Sequence, residues 1–117
     1  PACGEITITA SGDAAAKQPE CVGVYSPTEM FSAGRQVFKH QTQQRYLLVR
    51  PGDVDWSVQE SVESKGCLMQ SACAPSMCPA DPRARTCERL GRTSWEYWNG
   101  AEMKHGDITV KCSVHKY

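Results

Sequence analysis

RQVFKHQTQQRYLLVR, residues 35–50, reads as two strands about a polar turn. RQVFKHQ and RYLLVR are rich in aromatic and branched residues, and the short TQQ connection between them suggests a β-hairpin. The same pattern extends outward. Residues 5–10, EITITA, alternate strictly, with Ile6, Ile8 and Ala10 on one face and Glu5, Thr7 and Thr9 on the other. CVGVYS is a short apolar run ended by Pro27, and Pro51-Gly52-Asp53 carries the signal of a type II turn. In VDWSVQESV the residues Val54, Trp56, Val58 and Val62 recur at even positions, with Glu60 the one break. SWEYW leads into Asn99-Gly100, a strong two-residue hairpin signal, and DITVKCSV sets Ile108, Val110, Cys112 and Val114 on one face. SGDAAAKQPE reads as a polar loop. The expectation is a mainly β domain of six or seven short strands, an antiparallel meander forming a curled sheet or small sandwich.

The chain has 117 residues, which bounds it to one domain, 1–117. Thirteen basic and thirteen acidic side chains cancel, which argues against a nucleic-acid partner. The longest purely aliphatic or aromatic run is Tyr46-Leu47-Leu48-Val49, so no membrane insertion by this domain is expected. The opening PACGEI carries no signal-peptide pattern, which in a cysteine-rich chain reads as a mature or excised module.

Cysteine usage points to the compartment. CLMQSACAPSMCPADPRARTC, residues 67–87, holds four of the seven cysteines. It lacks the C-x2-C knuckle of zinc and thioredoxin-type sites, and no H-x3–5-H pair accompanies it, so no metal or other cofactor is expected. Disulfides among Cys3, Cys112, Cys67, Cys73, Cys78 and Cys87 are the better account, with their connectivity open. They place the chain in the secreted or extracellular space. A Cys3–Cys112 bridge would join a strand-like start to a strand-like finish, worth roughly 4–5 kcal/mol by loop entropy. The odd cysteine is a buried thiol, a cysteine whose partner lies outside the chain, or a link to another chain that would give a disulfide-linked dimer. Residues 67–92 read as a Cys-rich insertion in the sheet, with one short helix near 82–90 begun by Asp81-Pro82 and ended by Gly91.

The elements G-V-Y at 23–25, G-R-Q-V-F-K-H at 34–40, Y-L-L at 46–48, W-S-V at 56–58, C-P at 78–79, W-E-Y-W-N-G at 95–100 and D-I-T-V-K-C at 107–112 together resemble a small Cys-rich β module that recurs in secreted and cell-surface mosaic proteins of invertebrates and protists. The likeness spans about residues 3–112. It implies an extracellular module of largely unassigned activity and carries no catalytic residue over. The stretch after Trp56, usually glycine-rich in that module, is here the cysteine cluster.

Two sets of side chains are candidates for binding. Arg85 and Arg89 share a helix face, with Arg92 just beyond, and their guanidinium forks suit the sulfate or carboxylate groups of acidic glycans; the plainer alternative is a solvated face. Alternation sets Trp95 and Tyr97 against Trp98, and an exposed Trp98, with Tyr97 beside it, would stack on a sugar or anchor a protein; core packing is the alternative. Ser, His and Asp are present without a G-x-S-x-G elbow. His105, Asp107 and His115 lie near one another but read as surface residues. No catalytic residue or metal ligand is assigned. The chain is therefore expected to be no enzyme but a binding or adhesion module for a protein or glycan partner, part of a larger surface or secreted protein. A free-standing secreted effector or inhibitor is the first alternative, a small hydrolase the second.

Overall fold

A computed structural model describes residues 3–51, 55–64, 68–72 and 94–114. The strands are β1 (Cys3–Ala10), β2 (Gly23–Ser32), β3 (Arg35–His40), β4 (Tyr46–Val49), β5 (Trp56–Gln59), β6 (Met69–Ala72), β7 (Ser94–Trp98), β8 (Met103–His105) and β9 (Ile108–Val114). They form one antiparallel sheet in the order β8-β7-β6-β5-β4-β3-β2-β1-β9. From β1 to β8 each strand lies beside its predecessor, and β9 returns to the free side of β1.

That return dictates the shape. Nine strands spaced by roughly 4.8 Å would set the two edges of a flat sheet about 38 Å apart. Yet β8 and β9 sit on opposite edges and are joined only by Gly106 and Asp107, a link that spans roughly 10 Å at most. The sheet must curl until its edges meet at that end, and it forms a half-barrel. Its inner face holds the core: Ile6 and Ile8 from β1, Tyr25, Phe38, Leu47, Val58, Met69, Trp95 and Val110 pack into one cluster. Each such aliphatic or aromatic side chain contributes about 1.5–3 kcal/mol when fully buried.

The alternation in EITITA and in Ile108–Val110 is thus realised, with Ile6, Ile8 and Val110 buried. The hairpin of residues 35–50 is β3–β4, in the register Phe38 opposite Leu47 and Lys39 opposite Tyr46. His40 closes its turn. Its Nδ1 accepts the backbone N–H groups of Thr42 and Gln43, each at 3.1 Å, and its Nε2 lies 2.8 Å from the Val22 carbonyl. That pairing assigns the ring proton to Nε2. The run Tyr46–Val49 is apolar because β4 is covered on both faces: Leu47 and Val49 face the core, and Leu48, on the outer face, is also buried.

The outer face is polar where β5 crosses it. Gln59 is fully buried, and its Nε2 donates to the carbonyls of Ser61 at 2.9 Å, Val62 at 3.2 Å and Ser64 at 3.1 Å. Its Oε1 accepts from Ser57 Oγ at 3.1 Å. One glutamine therefore folds the chain back after β5, which is why the even-position pattern stops before Val62.

Several expectations are corrected. Among the described residues there are nine strands, not six or seven, and of the two expected forms the curled sheet is the one found. The additional strands are β6 and β8, of four and three residues. Because β6 pairs with both β5 and β7, residues 69–72 belong to the sheet and are no insertion in it. SGDAAAKQPE is not a loop. Gly12–Lys17 form helix α1, with Asp13 in the first turn and Lys17 in the last, and a 3-10 turn over Pro19–Cys21 follows. Three alanines favour the helix, and Ala14 seats it on the core. Asn99-Gly100 opens a four-residue loop, because Trp98 pairs with Met103 and Asn99 Oδ1 accepts the N–H groups of Ala101 and Glu102.

The short helix near 82–90, the turn at Gly52-Asp53, and Cys67, Cys73, Cys78 and Cys87 lie outside the described residues. The backbone register sets Cys3 opposite Val114 and Cys112 opposite Ile6 on neighbouring strands; the thiols of both lie outside the description. Cys21 is a free, buried thiol. Among the described residues, no helix is long and apolar enough to cross a membrane.

Candidate functional site

The end of the half-barrel where β8 passes into β9 is stitched by backbone hydrogen bonds. Ser11 N–H donates to the Asp107 carbonyl at 3.1 Å, and Gly106 N–H to the Trp95 carbonyl at 3.2 Å. Gly106 is required there. A Cβ at this position would stand 2.7 Å from the Tyr97 ring and 3.1 Å from Ala14, distances that force a shift of the core. The link can therefore lie directly on Tyr97, with α1 beside it.

Two adjoining clefts open at this seam. The larger, about 370 Å³, lies between the ends of β1, β7 and β9 and is lined by Thr9, Ala10, Trp95, His105, Asp107 and Thr109, among others. The smaller, about 230 Å³, lies toward α1 and adds Asp13, Ala14 and Tyr97; Ser11, His105, Gly106 and Asp107 belong to both. Tyr97 OH donates to Asp13 Oδ2. That bond, together with burial and the carboxylate charge, raises the Tyr97 pKa above the ordinary phenol value. Asp13 is thus engaged from within the protein.

Thr9 Oγ1 donates to the Thr109 carbonyl at 3.5 Å, but three other polar side chains at the seam are not held. Among the described residues, no hydrogen bond or ion pair engages the side chains of Ser11, His105 or Asp107. A serine, a histidine and an aspartate therefore line one cleft without forming a relay, which needs nucleophile, base and orienting group in hydrogen-bond contact. Trp95 is buried at 1% exposure, and its indole Nε1–H has no hydrogen-bond partner. A buried donor left unpaired is destabilising by about 1–3 kcal/mol.

The side chains singled out in the sequence are dispersed. Tyr97 lies with Trp95 on the inner face and is buried, its hydroxyl held by Asp13. Trp98 stands on the outer face, 38% exposed and cross-strand from Met103. Arg85, Arg89, Arg92 and His115 lie outside the described residues. His105 and Asp107 share the larger cleft, but no group of three metal-ligating side chains occurs among the described residues. His40 has both ring nitrogens engaged by backbone groups. A further exposed apolar feature is the β2–β3 hairpin tip, where Met30 and Phe31 are 42% and 68% exposed.

Sequence reading missed Thr9, Ser11, Asp13 and Thr109 as site residues. Ser11 and Asp107 are 96 positions apart, and only the return of β9 to β1 joins them. No family model, curated protein or solved structure matches the chain.

Proposed function

We propose that this domain is a non-catalytic binding module of the extracellular space that recognises a protein or glycan partner within a larger surface or secreted protein, and that the seam cleft is its binding site. The observation that carries the reading is the set of unengaged polar side chains at Ser11, His105 and Asp107, gathered in one concave site without a catalytic relay. Cysteine usage supports the compartment. The resemblance to a Cys-rich β module of mosaic proteins is consistent with both.

A second reading, a free-standing secreted effector or inhibitor, draws on the hairpin tip. Phe31, in β2 opposite Gln36 and two residues before the Ala33-Gly34 turn, presents an exposed apolar ring, the form of a plug for a target's groove. Capture of glycans and cell-surface proteins by the oxidised domain tests both readings, with Asp107→Ala and Phe31→Ser variants alongside. Capture lost in Asp107→Ala supports the cleft module. Loss in Phe31→Ser alone moves the function to the tip, and no capture by folded protein overturns the proposal.

A further inference from the structure

We propose that His40 is a proton-operated latch on the turn between β3 and β4, and that acid opens the sheet there. The latch does not depend on the seam cleft being a binding site.

Its working lies in what each ring nitrogen meets. Nδ1 accepts the N–H groups of Thr42 and Gln43, each at 3.1 Å, and stands 3.4 Å from Thr42 Oγ1. Nε2 lies 2.8 Å from the Val22 carbonyl, which only accepts, so the one proton of the neutral ring sits there. A second proton has to go to Nδ1. It turns that acceptor into a donor facing two backbone donors. The ring has little freedom to avoid the conflict. It is buried, meets the Tyr25 ring edge-on with centroids 5.0 Å apart, and lies so close to the Gly23 backbone that a Cβ on Gly23 would overlap it. The turn gives way instead, because residues 41–44 are exposed and water can take over their amides.

The charged and titratable groups around the ring reinforce the effect. Lys39 Nζ lies 3.4 Å from the His40 carbonyl, and Arg45 follows the turn, its carbonyl accepting the His40 N–H. Both side chains bring positive charge, which disfavours an imidazolium. Glu20 on the 3-10 turn pairs with Arg45 at 3.8 Å, and Glu5 on β1 takes the Gln41 amide at 3.0 Å. On β2 the Tyr25 hydroxyl donates to the Cys21 carbonyl, and burial keeps the Tyr25 phenol and the Cys21 thiol protonated. Among the described residues, no ion pair joins a carboxylate to the ring.

What opens is weakly held. β3 and β4 share two register pairs, Phe38 with Leu47 and Lys39 with Tyr46, closed by the His40 N–H bond to the Arg45 carbonyl at 2.9 Å. These strands lie in the middle of the sheet order, not at an edge. Protons favour the open state, so stability falls on acidification.

The test uses the full oxidised chain in NMR. At pH 7.5 the imidazole nitrogen shifts should report a proton on Nε2 and none on Nδ1. Amide exchange, divided by the intrinsic rate at each pH, should rise about tenfold or more at Thr42 and Gln43 between pH 7.5 and 5, with Tyr46 and Leu47 following and Val58 and Met69 changing less. His40→Gln, whose side-chain oxygen accepts without titrating, should remove the rise; if that variant does not fold, the tautomer and the exchange profile of the parent chain still decide. A proton on Nδ1 at pH 7.5 would overturn the assignment of the ring. Exchange at Thr42 and Gln43 no faster at pH 5 would overturn the latch. The same rise in folded His40→Gln would give the acid response to carboxylates such as Glu5 or Glu20, and would overturn it as well.

Discussion

Replacing Gln59 with leucine should destabilise the domain far more than one surface-strand substitution would suggest. Gln59 has no exposed surface, and its amide nitrogen serves the carbonyls of Ser61, Val62 and Ser64. Leucine fills a similar volume, so the transfer term is small or favourable. What is lost is the donor. An unsatisfied buried carbonyl is destabilising by about 1–3 kcal/mol, but Ser61, Val62 and Ser64 are only half-buried, so water reaches part of the vacancy. Ser57 Oγ also loses its acceptor at Oε1. We expect a net loss of about 2–3 kcal/mol. For 117 residues the unfolding entropy is about 0.25 kcal/mol per kelvin, which converts that loss to a fall in Tm of about 8–12 °C. Thermal melts followed by circular dichroism, with exposed Gln44→Leu as control, check it. A Tm within 2 °C of the parent would refute the assignment of Gln59 as the residue that holds the 61–64 turn.

At the β2–β3 turn, Ala33 and Gly34 both have positive φ, 53° and 75°, the type I′ geometry that disfavours a Cβ; Ala33→Asn should raise stability by about 0.5–1 kcal/mol, and a lower denaturation midpoint would contradict it. Burial pushes the Cys21 thiol up to about 11 from 9.0. The stabilisation this implies is complete below pH 9, where both states hold the proton, and is lost as pH rises toward 11, where only the unfolded chain has released it. The amount is about 2–3 kcal/mol. Urea melts from pH 8 to 11 should show the decline, and Cys21→Ala should remove the part between pH 9 and 10, while the buried Tyr25 phenol, also raised by burial, keeps a loss near pH 11. Cys21 should also resist alkylation in the folded chain and react on unfolding. Reductant that opens the expected bridges should lower the melting temperature by tens of degrees, since each bridge removed is destabilising by about 2–5 kcal/mol; an unchanged melt would remove the disulfide reading.

Strands with a covered face were legible because period-two alternation is imposed directly by the pleat: Ile6 and Ile8, Trp56 and Val58, and Trp95 and Tyr97 all follow it. The opposite placement of Trp98 follows from the same rule. β6 and β8 were not legible. MQSA and MKH have little β-forming character, and they are strands because β5 and β7 offer them ladders. α1 was hidden by the polar residues around its alanines. Asn99 signalled a turn correctly, yet its side chain caps two amides and so selects a longer loop than Asn-Gly usually forms. The cleft was illegible for a different reason. Its polar residues carry no motif, and Thr9, Ser11, Trp95 and Asp107 meet only through long-range pairing of β1 with β9.

That pairing also orders events in time. The first strand finds one of its two neighbours only in the last, so about a hundred residues must emerge from the ribosome before β1 has a complete set of partners. Until then Ile6 and Ile8 lie on an incompletely bounded strand, open to association with other chains. Closing so large a loop is a late, entropically expensive step. Folding should therefore be slow for a domain of this size, and a chain truncated before β9 should aggregate instead of folding to a smaller version of the same sheet.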